Sequence, residues 1–221
     1  MFREVDLEEI SDGKLYGSND MVRADCFGCQ GCSQCCCGMG ESIILDPLDV
    51  HRLCSNLHMN LDAMVERHLE LHVVDGLILP NLRMDGPQAA CTFLDGEGRC
   101  AIHSFRPGIC RIFPLGRYYE DRSFQYFLQV QECPKKNRGK IKIKKWIDMP
   151  DTKRYETFVS DWHYFLRDLQ ESLEEAGEVR RKTSCMYVLQ NFYARSFEEG
   201  DFYLQFYERL KQAEEVLGLK K

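Results

Sequence analysis

Large apolar residues recur at spacings of three and four from residue 155 onward: Tyr155, Phe158, Val159, Trp162, Phe165, Leu166, Leu169 and Leu173 make one stripe. That period marks the buried face of an amphipathic helix, and Gly177 is placed to end it. Tyr187, Leu189, Phe192 and Tyr193, then Phe202, Phe206, Leu210 and Leu217, predict two further helices separated near Gly200. The stripe reads as helix core rather than as a ligand groove, since large apolar residues at this spacing are what a packed bundle requires.

Before Pro150 the pattern breaks into short runs and turn residues. Asp46-Pro47 reads as a helix cap with proline at the first helical position, followed by Leu48, Leu53 and Leu57, and residues 60–71 predict a second helix. Val73-Val74 and Leu77-Ile78-Leu79 predict short strands around Asp75-Gly76, and Asp95-Gly96-Glu97-Gly98 a turn between the runs at Cys91 and Cys100. Residues 116–130 predict a hairpin with Glu120-Asp121-Arg122 at its middle, and Lys140-Ile141-Lys142-Ile143-Lys144 a strand with one solvated face. Residues 1–25 carry Asp6, Glu8, Glu9, Asp12, Asp20 and Asp25 with weak periodicity and read as a loosely structured acidic lead-in. The expected class is α+β: the lead-in, a small irregular domain of short strands and helices over 26–150, and amphipathic helices packed on it over 151–221.

Composition changes this picture in one respect. A chain of 221 residues with 44% hydrophobic and 29% charged residues has an ordinary globular make-up, and its net charge of -6 argues against nucleic acid as a default partner. No apolar stretch approaches the ~20 residues of a membrane span, and the acidic start lacks a signal-peptide core, so no membrane association and a cytoplasmic location are expected. In a reducing compartment the twelve cysteines read as metal ligands rather than disulfides.

Cys26, Cys29, Cys32 and Cys35 recur every third residue, and Cys36 and Cys37 follow directly. Two intervening residues let the chain fold back so that both sulfurs meet one metal or adjacent irons of a cluster, and Gly28 and Gly31 supply backbone freedom. Adjacent cysteines such as Cys35 and Cys36 are expected to point apart, with one serving a second site. Cys91, Cys100 and Cys110 follow among turns, and Cys133-Pro134 is similar to the remote Cys-Pro ligand of bacterial ferredoxins.

The ordered set Cys29-x-x-Cys32-x-x-Cys35-Cys36, Asp46-Pro47-Leu48-Asp49-Val50, Cys91-Thr92-Phe93-Leu94, Cys100 to Pro114 and Cys133-Pro134 resembles the CxxCxxCC, or YkgJ-type, cysteine-cluster family. The resemblance spans roughly residues 25–150 and implies a zinc- or iron-chelating domain. It implies eight metal ligands: Cys29, Cys32, Cys35, Cys36, Cys91, Cys100, Cys110 and Cys133. Flagellin lysine N-methylases contain the same kind of domain, which links the family to protein modification. The chain departs from the family pattern at Cys37, where a basic residue is common, at His103, where tyrosine is common, and in its extra Cys26.

Thiolates suit zinc and iron-sulfur clusters alike. A chain with its own helical core has little need of a zinc staple, so an iron-sulfur cluster, 4Fe-4S, with a redox, sensing or catalytic role is expected, and a zinc-stabilised module that docks a protein partner is the alternative. Arg99, Arg106 and Arg111 stand near the cysteines, where they would donate to sulfur or form surface ion pairs. His68 and His72 lie four apart on the expected second helix without an HExxH pattern, and read as a partly exposed face. The basic run from Lys135 to Lys145 offers charge to nucleic acid or an acidic partner, but the alternation over Lys140–Lys144 favours a strand with one solvated face. No phosphate-binding loop and no GxSxG appears, and no catalytic residue is assigned.

Overall fold

Five of the described helices start where an acidic or amide side chain, Asp6, Asp46, Asn60, Asp151 or Asp201, caps the first turn. The computed structural model describes residues 6–28 and 32–219. Asp6 caps α1 (Leu7–Ile10), which leads into β1 (Ser11–Tyr16) and β2 (Met21–Asp25). Asp46 caps α2 (Pro47–Leu57) with a reciprocal capping box through Asp49, and Asn60 caps α3 (Leu61–Arg67). Four strands follow: β3 (Leu69–Val74), β4 (Leu77–Leu82), β5 (Met84–Asp85) and β6 (Ala90–Cys91). After α4 (Gly108–Ile112) come β7 (Leu115–Glu120), β8 (Ser123–Gln129), β9 (Gly139–Lys142) and α5 (Ile143–Ile147). Three longer helices close the chain: α6 (Thr152–Leu173), α7 (Glu178–Val188) and α8 (Phe202–Leu217). The class is α+β.

All strand pairing is antiparallel and divides among small sheets: β1-β8-β7, β2-β9, β3-β4 and β5-β6. The helical stripe is core as expected. Tyr155, Phe158, Trp162, Phe165, Leu169 and Leu173 on α6 are buried, and Phe158 meets Phe206 of α8 edge-on with ring centroids 4.6 Å apart. Trp162 lies 4.9 Å from Phe192, which sits in a π-helical turn (Leu189–Ala194) continuing α7. The core runs without interruption across Pro150, because Val22, Leu45, Leu53 and Leu115 belong to the same buried cluster as Phe158 and Phe206. Tyr193 fastens the two parts by donating to the Leu45 carbonyl at 3.0 Å.

Several expectations change. Far from trailing loosely, residues 7–25 supply a short helix and two sheet strands: Tyr16 pairs with Tyr126, and Val22 with Ile141. Val22 and Ala24 are buried, a period-2 pattern that at five residues is too short to stand out in the sequence. The second helix stops at Arg67; His68 caps it, and Leu69 begins a strand, so His68 and His72 do not share a helix face. His68 stacks on Phe93 at 4.2 Å and His72 faces Glu70 and Glu41. The Lys140–Lys144 strand ends at Lys142, and Ile143 turns inward to start α5. Gly177 does not end α6, which finishes at Leu173; it caps the start of α7. Among the described residues no helix is long and apolar enough to cross a membrane.

Candidate metal centre

The cysteines reach one cavity through three short local devices. In the first, residues 34–36 make a 3-10 turn, with the Cys36 N–H donating to the Ser33 carbonyl at 2.8 Å. This tight turn brings the Cys35 and Cys36 sulfurs to 3.9 Å. The expectation that the two point apart is therefore wrong: successive residues of a 3-10 turn project about 120° apart, yet these two side chains bring their sulfurs together. Cys37 then bridges to Ala90 and the Gly38 N–H donates to the Ala89 carbonyl, tying this turn to β6 and hence to Cys91.

The second device is a side-chain turn. Asp95 Oδ1 accepts from the Glu97 and Arg99 N–H groups at 2.9 and 2.8 Å, reversing the chain so that Leu94 bridges to Cys100. Cys100 is thereby carried back beside Cys91.

The third device places Cys110 and depends on buried polar groups. Asp49, 4% exposed, serves the α2 cap with one carboxylate oxygen and accepts from the Gly108 N–H with the other, at 2.7 Å. Gly108 lies against Tyr155 so closely that an added Cβ would overlap the tyrosine oxygen and fall 3.3 Å from Cζ. Arg111, also 4% exposed, donates to the carbonyls of Ser104, Arg106, Ile147 and Asp148. It is neither a sulfur donor nor a surface ion pair: its charge is spent on backbone carbonyls that frame the Cys110 loop. Of the arginines near the cysteines, Arg106 is the one that acts on the thiols. It donates to His103 Nε2, and its charge lowers the pKa of Cys35 and Cys100. Arg99 is exposed.

These devices leave Cys32, Cys35, Cys36, Cys91, Cys100 and Cys110, together with Cys26, lining one cavity of about 910 Å³. Cys133 does not line it; its neighbour Pro134 instead borders a smaller cleft shared with Cys26. Cys29 lies outside the described residues. Among the described residues no three His, Cys, Asp or Glu donors stand close enough to hold one metal ion as placed, so the thiols ring the cavity without closing on a point. All eleven described cysteines are free of disulfides.

The donor set fits a soft metal centre. Cys35 is held far above the usual thiol range by its hydrogen bond to Cys36 and then by burial. Burial pushes Cys110, Cys91 and Cys100 up as well, and each is raised further by neighbouring cysteines. Thiols that raise one another's pKa stay protonated until a cation makes their ionisation favourable. A pH effect follows. Ligation needs thiolates, and these groups hold their protons at neutral pH, so metal binding is expected to release about one proton per ligating thiol and apparent affinity to climb from pH 6 to 9. Calorimetry in two buffers of different ionisation enthalpy measures the release. Proton-neutral binding would count against thiol ligation.

The sequence reading missed Gly108 and Tyr155 as parts of this site. Asp49 had a visible signal, since Asp46-x-x-Asp49 has capping-box spacing; nothing in the sequence pairs residue 108 with residue 155. No curated protein and no solved structure matches the chain. A family model does match over residues 28–134, the stretch that carries the cavity-lining thiols from Cys32 to Cys110. Residues 28–134 match the model of the CxxCxxCC family, described as "Putative zinc- or iron-chelating domain".

Proposed function

We propose that this protein holds an iron-sulfur cluster through the thiolates of its cysteine cavity. One observation carries the reading: six of the eight cysteines marked by the family resemblance, Cys32, Cys35, Cys36, Cys91, Cys100 and Cys110, line a single cavity. A structural zinc ion takes four ligands and closes around them. Six thiols around open space suit a larger inorganic centre, with Arg106 offsetting part of its negative charge. When bound, such a cluster supplies one-electron chemistry, and the cavity leaves room beside it for a small molecule.

One distance favours a second reading. Two thiolates bound tetrahedrally at about 2.3 Å from zinc stand about 3.8 Å apart, and the Cys35 and Cys36 sulfurs are separated by 3.9 Å. Metal analysis after oxygen-free purification separates the two. Iron with equimolar acid-labile sulfide and a brown, reductant-bleachable protein is the expected result. Colourless protein with stoichiometric zinc and no sulfide would replace the cluster by a zinc ion.

A further inference from the structure

Beside the cysteine cavity lies a strongly basic face that the metal does not explain. Between Cys133 and Lys145 the chain has Lys135, Lys136, Arg138, Lys140, Lys142, Lys144 and Lys145 and no carboxylate. This segment contributes +7 to a chain of net charge -6, so the remainder carries -13. All six lysines are exposed, and none forms an ion pair with a described residue. The register of β2 with β9 sets Met21 opposite Lys142, and Met21 and Arg23 extend the same solvent face. Lysines on an edge strand discourage aggregation, which accounts for Lys140 and Lys142. It does not account for Lys135 and Lys136 before the strand or for Lys144 and Lys145 in α5.

Phe27 stands at the edge of this face. It is 70% exposed, its ring lies over Gly139 of β9, and it walls a cleft with Pro134, Lys135, Lys136 and Asn137 whose floor is Cys26. Its backbone is left-handed at φ +53°, stabilised by its N–H donating to Asp25 Oδ1 at 2.8 Å. A bulky side chain there costs on the order of 1–2 kcal/mol that Asn or Gly would largely avoid. An aromatic held out in solvent, in a backbone conformation that disfavours it, is poor for stability and well suited to contact.

We propose that this face docks an acidic partner protein, with Phe27 seated on an apolar spot of the partner and the lysines matching its carboxylates, next to the cysteine centre. Charge complementarity selects the partner: the patch attracts carboxylates, whereas the -13 on the rest of the chain repels an extended polyanion that would have to pass along it. Single-stranded nucleic acid is matched less well, because stacking successive bases calls for a row of aromatics and Phe27 is the one strongly exposed aromatic of this face. The inference stands whichever metal the thiolates hold.

The test uses the full chain, purified with its metal, and two labelled probes read by fluorescence anisotropy: a ten-residue glutamate peptide with one central leucine, and a ten-base oligothymidylate. The peptide is expected to bind with a salt-sensitive affinity. Lys135→Glu/Lys136→Glu/Lys140→Glu is expected to weaken it at least tenfold and Phe27→Asn at least threefold, while a control reversal on α7, Arg180→Glu/Lys182→Glu, leaves it unchanged. Asn suits the left-handed backbone, so Phe27→Asn keeps the fold, and unchanged metal content and melting temperature verify this for every variant. The proposal is overturned if the triple reversal binds within twofold of the parent, if Phe27→Asn has no effect, or if the oligonucleotide binds more tightly than the peptide.

Discussion

Cys110→Ser is expected to purify with its metal largely lost, whereas Cys54→Ser and Cys185→Ser retain the full complement. Cys110 lines the cavity, and burial together with its cysteine neighbours makes it a reluctant thiolate until a cation is present. Cys54 lies on α2 outside the lining, and Cys185 donates to the Gly76 carbonyl at 3.3 Å. Losing a ligand matters because metal-binding energy is also folding energy, on the order of 10–16 kcal/mol for zinc in small peptides. Here the loss should be local. The aromatic cluster of α6, the π turn and α8 is buried without help from the cysteines, so helical circular dichroism should survive. Hydrogen exchange should accelerate in residues 32–45 and 86–112, where few regular backbone hydrogen bonds restrain the chain. The same pattern is expected when chelator strips the parent protein. A metal-replete Cys110→Ser with unaltered exchange would remove Cys110 from the ligand set.

That contrast follows which features could be read from residues alone. Helix α6 was legible because its buried positions repeat at 3.6 residues over 22 residues, a signal that tertiary context rarely overrides. Hairpins β3-β4 and β7-β8 were legible through Asp75-Gly76 and Asp121-Arg122, whose positive φ values suit the turns between their strands. The N-terminal strands were not, because β1 and β2 are stabilised by pairing with β8 and β9, more than a hundred residues away, and carry few apolar residues of their own. In the cysteine region, the residues were legible and their geometry was not. Spacing marks Cys35 and Cys36, but only the folded chain shows that their sulfurs meet. The run Arg106-Pro107-Gly108-Ile109-Cys110-Arg111 left its two arginines readable as sulfur donors or surface ion pairs; what holds it, Asp49 below, Tyr155 alongside and Arg111 reaching the Ile147 and Asp148 carbonyls, is mostly long-range.

Gly108→Ala tests that logic most severely. A methyl group at residue 108 has no room beside the Tyr155 oxygen, and α6 cannot retreat because Tyr155 is fully buried and accepts a hydrogen bond from Arg117 at 2.8 Å. The strain must pass into α4, stretching the bond from the Gly108 N–H to Asp49 and displacing Cys110 two residues on. Overpacking of this kind costs about 1–3 kcal/mol, and loss of the buried hydrogen bond to a carboxylate adds about 1.5–3 kcal/mol. Denaturant unfolding should therefore show Gly108→Ala destabilised by roughly 3–5 kcal/mol, with metal content reduced in step. Tyr155→Phe alone takes an acceptor from the Arg117 guanidinium and should cost about 1.5–3 kcal/mol. Combined, the two should cost less than their sum, since removing the hydroxyl leaves the new methyl facing ring carbon at 3.3 Å, a contact that small shifts relieve. Strict additivity in that cycle, or a Gly108→Ala protein with full stability and full metal, would mean that Tyr155 does not set the position of the Cys110 loop.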